Sequence, residues 1–155
     1  MSKIANKIIF SHSKAFTLME LMIAALILAI VLVGLLASYL SCMQLAEIAK
    51  NTSIAMNAAR AQTEHIEEHD FDNIKIDYDN EAFPLVNLTG MGVSYVDDTD
   101  PDLLLVTVTV CWRQQRGRVI GEDSDVDGVL DAGEDTNGNG MLDSVAQIVT
   151  KIARR

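Results

Sequence analysis

Residues 14–40 read KAFTLMELMIAALILAIVLVGLLASYL, and two features of this stretch decide the fold. Leu21 to Leu40 carries no charge. At 1.5 Å rise per residue, about 20 apolar residues span a hydrocarbon core of roughly 30 Å, so the run reads as a transmembrane helix. The second feature is order. The lysines Lys3, Lys7 and Lys14 and the small residue Ala15 all come before the apolar run. A secretory signal is normally cut behind its apolar core and lost whole. A cut between Ala15 and Phe16 instead keeps the membrane helix and frees a new amine on Phe16.

Glu20 sits four residues after Phe16, at the margin of the apolar run. An ionised carboxylate at the edge of a bilayer core is costly unless it is paired. In a bundle of such helices staggered along an axis, one subunit's Glu20 meets a neighbour's Phe16 ammonium in a low-dielectric interior, which would set the assembly register. The alternative is a headgroup-level carboxylate that merely tolerates its place.

These residues resemble the class III signal of type IV pilins, pseudopilins and related filament proteins: a short basic leader, then Phe16-Thr17-Leu18-Met19-Glu20 ahead of a long apolar helix. The resemblance implies cleavage by a prepilin peptidase between Ala15 and Phe16, N-methylation of Phe16 and an assembly role for Glu20. It departs from the usual pattern at one place, because the residue before the cut is Ala15 where Gly is customary.

The whole chain has 155 residues, about one domain's worth, and a formal net charge of -10. Removal of the leader's three lysines takes that charge to -13. Such a surface repels phosphate, so nucleic acid is not an expected partner. Basic residues before the apolar run and abundant acid after it place the N-terminus on the cytoplasmic side. The two cysteines, Cys42 behind the membrane run and Cys111 in an expected strand, read as unpaired thiols, although an exported head permits a disulfide.

Past the membrane run, Leu45, Ile48, Thr52, Ala55, Met56, Ala59 and Ile66 recur at spacings of three and four. They mark one helical face, which must pack on something supplied later in the chain. Gly34 is a weak point in the helix, costing about 1 kcal/mol relative to Ala. His65 and His69 stand one turn apart among Glu64, Glu67 and Glu68. That spacing can hold a metal, but no third ligand is evident, and a solvated helix end suits it better.

Beyond Phe71 the pattern becomes alternating. Ile74, Ile76 and Tyr78 suggest a strand; Phe83–Leu88 and Gly92–Val96 suggest two more, with Pro84 marking an edge. Leu103–Arg113 is the strongest strand, with Leu104, Val106, Val108, Val110 and Trp112 on the face expected to cover the helix and Thr107, Thr109 and Cys111 on the other. Arg116–Ile120 and Val145–Ala153 complete the expected antiparallel sheet, and Arg154 and Arg155 form a basic tail. The Val106–Trp112 strand and the final Gln147–Ile152 run are similar in pattern to minor pilins of the PilV type and to I-type minor pseudopilins of type II secretion.

An acidic insertion departs from that pattern. Glu122 to Asp143 holds eight carboxylates and no basic residue. It can be read as a disordered solvated loop. Against this, Asp123, Asp125, Asp127, the Val129 carbonyl, Asp131 and Glu134 fill positions 1, 3, 5, 7, 9 and 12 of a calcium-loop pattern, and Gly128 supplies its sharp turn. A second loop starts at Asp135, with Asn137, Asn139, the Met141 carbonyl and Asp143 in matching positions. Its twelfth residue is Ala146. Lacking a bidentate acid there, the second site is expected to be weaker or to share ligands. The pattern resembles EF-hand-like loops of exported proteins, with Ca2+ as the cofactor.

The expected fold is α+β and pilin-like: a cleaved leader over 1–15, a long helix over 16–70 with its transmembrane part at about 18–40, and a β-sheet head over 71–155 with a calcium-binding insertion at 121–144. No nucleophile, base and orienting residue are grouped, and no phosphate-binding glycine loop occurs, so an enzyme is not expected. The leading function is a minor pilin in a type IV pilus filament whose head calcium stabilises. A minor pseudopilin of a type II secretion system is the alternative, and a membrane-anchored calcium-binding adhesion module the second. Expected partners are other pilins or pseudopilins in a helical filament, the prepilin peptidase and the inner membrane. The head is expected in the periplasm and later in a filament or at the cell surface.

Overall fold

A computed structural model describes residues 17–154. The cleavage site at Ala15–Phe16, the leader before it and Arg155 lie outside the described residues. The chain divides into two compact units, one ending at Met43 and the other beginning at Gln44.

The described part of the first unit is helical. The helix α1 is assigned to Leu18–Glu67, and its apolar part is long enough to cross a membrane. The side chains of that part are exposed, from Leu18 at 79% to Ile23 at 49%, as a lipid-facing helix requires. Its two serine hydroxyls are satisfied within the helix. Ser38 Oγ donates to the Gly34 carbonyl at 2.9 Å and Ser41 Oγ to the Ala37 carbonyl at 3.1 Å, the usual way a hydroxyl is tolerated where water is absent.

The second unit is α+β: the later part of α1, a short helix α2 (Phe71–Tyr78) and a five-stranded antiparallel sheet. Its strands are β1 (Glu81–Pro84), β2 (Gly90–Asp100), β3 (Leu103–Arg113), β4 (Val119–Ile120) and β5 (Ala146–Ala153). The expected alternation in β3 holds. Leu104, Val106, Val108, Val110 and Trp112 are all buried in one core with Ala55, Ala59 and Ile66 of α1 and Ile74 and Tyr78 of α2. Alanines at 55 and 59 let the sheet approach the helix backbone. Thr63, also buried, is tolerated because its hydroxyl donates to the Ala59 carbonyl at 2.8 Å. At the start of this unit the helical face is less covered, and Leu45 and Ile48 remain 65% and 41% exposed.

Three sequence expectations need correction. Residues 71–78 form a helix, not a strand: Phe71, Ile74 and Tyr78 lie at spacings of three and four and pack on the core, while Ile76 is 79% exposed. The expected strand at Phe83–Leu88 starts earlier and stops at Pro84, followed by a turn in which Asn87 takes φ 66°. The expected strand at Arg116–Ile120 shrinks to Val119–Ile120, because Gln115–Gly117 is a 3-10 turn.

The short β4 explains how the sheet accommodates the insertion. Ile120 pairs with Trp112 and Ala146 pairs with Val110, so β4 and β5 are two pieces of one edge strand lying along β3. Residues 121–145 leave that edge and return to it opposite neighbouring β3 residues. The Glu122 N–H donates to the Asp143 carbonyl at 2.9 Å and closes the neck. Gly121 has φ 110°, and a Cβ there would clash with Cys111 Sγ, so this position requires glycine on both counts. The insertion folds back over the sheet's outer face, where Leu142 is buried with Val93 and Tyr95, and Leu130 and Met141 pack beside them.

Candidate metal loops and assembly segment

The first loop is organised by two carboxylates. Asp123 is wholly buried and accepts the backbone N–H groups of Val126 (2.6 Å), Asp127 (3.2 Å) and Gly128 (2.9 Å). Glu134, 7% exposed, accepts the Ser124 N–H at 2.7 Å and hydroxyl at 2.6 Å through one oxygen and the Asp131 N–H at 3.0 Å through the other. Asp127 accepts the Val129 N–H at 2.8 Å. Val126 at φ 68° and Gly128 at φ 82° turn the backbone around Asp123. One oxygen each from Asp123, Asp125 and Glu134 lie within 4.8 Å of one another, as do oxygens of Asp125, Asp127 and Asp131. The five side-chain candidates of the first site therefore form two overlapping trios that share Asp125.

Among the described residues no ion pair reaches these carboxylates, although the Arg113 guanidinium donates to the Asp125 backbone carbonyl at 3.3 Å. The four ion pairs of the described residues all lie elsewhere, at Lys75, His69 and Arg154. Burial pushes the Asp123 carboxyl up, against its three backbone N–H donors, and the nearby Glu134 charge adds to the rise. The Ser124 hydroxyl and the Asp131 N–H hold the Glu134 carboxyl down. Buried charges are ordinarily paired or bound to metal. An all-oxygen donor set, with two carboxylates buried and hydrogen-bonded and three exposed, suits a hard divalent cation, and a flexible ligand set of this size suits calcium better than octahedral magnesium.

The second loop repeats the geometry. Asp135 accepts the N–H groups of Gly138 (2.6 Å), Asn139 (3.1 Å) and Gly140 (2.9 Å), which lower its carboxyl, Gly140 most. Asn137 Oδ1 accepts the Asn139 N–H and Asn139 Oδ1 the Met141 N–H, both at 2.9 Å. Asp143 draws both amides inward, accepting Asn137 Nδ2 at 2.5 Å and Asn139 Nδ2 at 2.8 Å. Its other oxygen accepts Gln147 Nε2 of β5 at 3.0 Å.

One residue here was given no role by the spacing of single loops. Glu122 accepts the Thr136 N–H at 3.2 Å, the Thr136 hydroxyl, and the Asp143 N–H at 3.0 Å. The signal that points to it is an internal repeat. Residues 121–132 read GEDSDVDGVLDA and residues 133–144 read GEDTNGNGMLDS, so Glu122 stands to the first unit as Glu134 stands to the second.

In the N-terminal segment, Thr17 Oγ1 accepts the Glu20 N–H at 3.2 Å. Thr17 is thereby the N-cap of α1 and Glu20 its third residue, a Thr-x-x-Glu capping arrangement with an acid in the first turn. Glu20 is exposed. Its expected partner, Phe16, lies outside the described residues.

His65 and His69 are drawn together by a hydroxyl. Tyr78 Oη lies 3.1 Å from Nδ1 of each ring, and burial pushes its own ionisation up. Cys42 is exposed and Cys111 buried, and both are free.

Residues 10–36 match the prokaryotic N-terminal methylation motif. No curated protein and no solved structure matches the chain. The motif supports a type IV pilin-like protein, and the apolar helix behind it suggests anchoring in the inner membrane. It implies a prepilin peptidase substrate with pilin-type filament partners. A long N-terminal helix followed by a small antiparallel sheet is consistent with the pilin fold.

Proposed function

We propose that this chain is a minor pilin-like structural subunit of a type IV pilus filament, with a calcium-stabilised head. The methylation motif at residues 10–36 carries the reading, because it sets the cut before the apolar run and so retains the membrane helix in the mature subunit. A minor pseudopilin of a type II secretion system would use the same segment in a shorter periplasmic filament. The role is structural, not enzymatic. Ala15 and Phe16 serve the peptidase, Phe16 takes the methyl group, and Glu20 sets register against a neighbour's Phe16 amine.

In the head, Asp123, Asp125, Asp127, Asp131, Glu134 and the Val129 carbonyl would hold one calcium ion. Asp135, Asn137, Asn139, Asp143 and the Met141 carbonyl would hold a second. The ion supplies the positive charge that the insertion lacks. Loops of extracellular modules bind calcium at roughly 10⁻⁴ to 10⁻³ M, so the sites would fill after export.

N-terminal sequencing and intact mass of the chain from cells with an active prepilin peptidase test the reading. The expected mature protein starts at methylated Phe16 and is recovered in sheared filaments. A chain starting beyond Leu40, or one left uncut, overturns it. Recovery only with the secretion apparatus supports the pseudopilin alternative, and a processed chain that never enters filaments supports the adhesion module.

A further inference from the structure

The calcium reading leaves the second loop incomplete, because its twelfth position cannot supply a ligand. Ala146 is wholly buried in the core and paired with Val110 in β5. A bidentate acid at that position is what usually closes such a loop.

Glu122 makes the equivalent set of hydrogen bonds. In the first loop, Glu134 accepts from the N–H and hydroxyl of Ser124, the loop's second residue, and from the N–H of Asp131, its ninth. Thr136 and Asp143 are the second and ninth residues of the other loop. Glu122 accepts from the N–H and hydroxyl of Thr136 and from the N–H of Asp143. The match covers each of these donors, and the backbone repeats with it: φ is 68° at Val126 and 74° at Gly138, 82° at Gly128 and 76° at Gly140, 110° at Gly121 and 99° at Gly133.

Two observations outside these hydrogen bonds point to a cation. Asp123 and Glu134, both of the first loop, are buried acids, while Glu122, Asp135 and Asp143 are half-buried, and no described basic group lies within ion-pair distance of any carboxylate of the insertion. The sequence also repeats with a period of twelve, the length of one calcium loop. Glycine, glutamate and aspartate open both units, and Gly128/Gly140, Leu130/Leu142 and Asp131/Asp143 recur in register.

We infer that Glu122 is the closing ligand of the second loop, so that the glutamate opening each repeat closes the loop of the other and the insertion binds two divalent cations as one interlocked pair. This rests on the calcium reading of the loops. Glu122 also carries the N–H that closes the neck on the Asp143 carbonyl. The second ion would thus be tied to the point where the insertion joins the sheet.

Calcium titration of the full chain in detergent, followed by calorimetry, tests the inference. Wild type is expected to bind two ions. Glu122→Gln should keep the first and weaken the second by at least about tenfold, since even outer-shell changes commonly cost that much. Glu134→Gln should show the reverse, and Glu122→Asp, which keeps the charge, should weaken the second site less than Gln does. If wild type binds no calcium, the calcium reading itself fails, and this inference with it. If wild type binds calcium and Glu122→Gln leaves number and affinity unchanged, the calcium reading stands and the role of Glu122 is wrong. Loss of both ions together in Glu122→Gln and Glu122→Asp also overturns the assignment to the second loop.

Discussion

The phenol oxygen of Tyr95 accepts the backbone N–H of Leu142 at 2.9 Å, at a buried point where the insertion lies on the sheet. Tyr95 is on β2 and Leu142 is in the second candidate loop, immediately before Asp143, so this bond fixes loop to sheet. In Tyr95→Phe the ring still packs, but a buried N–H loses its acceptor, which costs about 1–3 kcal/mol. Denaturant unfolding of the full chain in detergent should show that loss. Val149→Ala, at a residue 57% exposed on the same sheet, should change stability by less than about 0.5 kcal/mol.

Calcium should raise the melting temperature of the head and leave the helical signal of the membrane segment unchanged. An ion bound only by the folded state adds RT ln(1 + [L]/Kd), about 2.7 kcal/mol at a hundredfold excess over Kd. Asp127→Ala and Glu134→Ala should remove most of the response. Equal melting in calcium and in chelator, with no calorimetric binding up to millimolar metal, would show the insertion to be an acidic loop without a cation.

Which features could be read from sequence follows from how many structures each pattern permits. A charge-free run such as Leu21–Leu40 has essentially one solution in a bilayer, and the Leu104-to-Trp112 alternation of β-branched and aromatic residues has one in a sheet. Residues 71–78 have two. Ile74, Ile76 and Tyr78 satisfy period two, while Phe71, Ile74 and Tyr78 satisfy the helix, and packing on Ile66 and Val106 in the shared core decides. The first candidate calcium loop could be picked out because its acidic residues lie close together in sequence. Glu122 could not, because it contacts a loop that begins at Asp135, whereas the single-loop rule looks ahead to Ala146.

Cys111 should report whether the neck is closed. Burial pushes its thiol up, and Gly121 and the Asp143 carbonyl lie against it. A raised acid contributes stability that is full below its ordinary value and is lost as pH rises through the raised one, so this contribution weakens only on the alkaline side. In a Cys42→Ser background, alkylation should be slow at neutral pH, rise with pH beyond the ordinary thiol range, and accelerate at fixed pH in Tyr95→Phe. Alkylation at the rate of a free thiol, with no change in Tyr95→Phe, would mean that the insertion does not shield this face.

Glu20 has two physical roles available, and one pair of substitutions separates them. As the third residue of α1, capped by Thr17, it sits where a carboxylate favours the helix N-terminus by about 0.3–1 kcal/mol. A glutamine keeps much of the capping geometry, since the Thr-x-x-Glu arrangement also accepts Gln. As the partner of a neighbour's Phe16 ammonium, only the charge serves, and a neutral amide leaves the amine unpaired in a low-dielectric bundle. Glu20→Gln and Glu20→Ala should both be inserted and cleaved, because the apolar run and the cut site are untouched. If Glu20 sets register, both variants should enter sheared filaments poorly and to a similar degree. If it only caps, Glu20→Gln should assemble like wild type and Glu20→Ala nearly so, since a loss below about 1 kcal/mol at one helix end is small beside the burial of a whole apolar helix. Quantifying each variant in sheared filaments against its processed level in the membrane separates these outcomes. A loss of cleavage in either variant would instead assign the carboxylate to the peptidase.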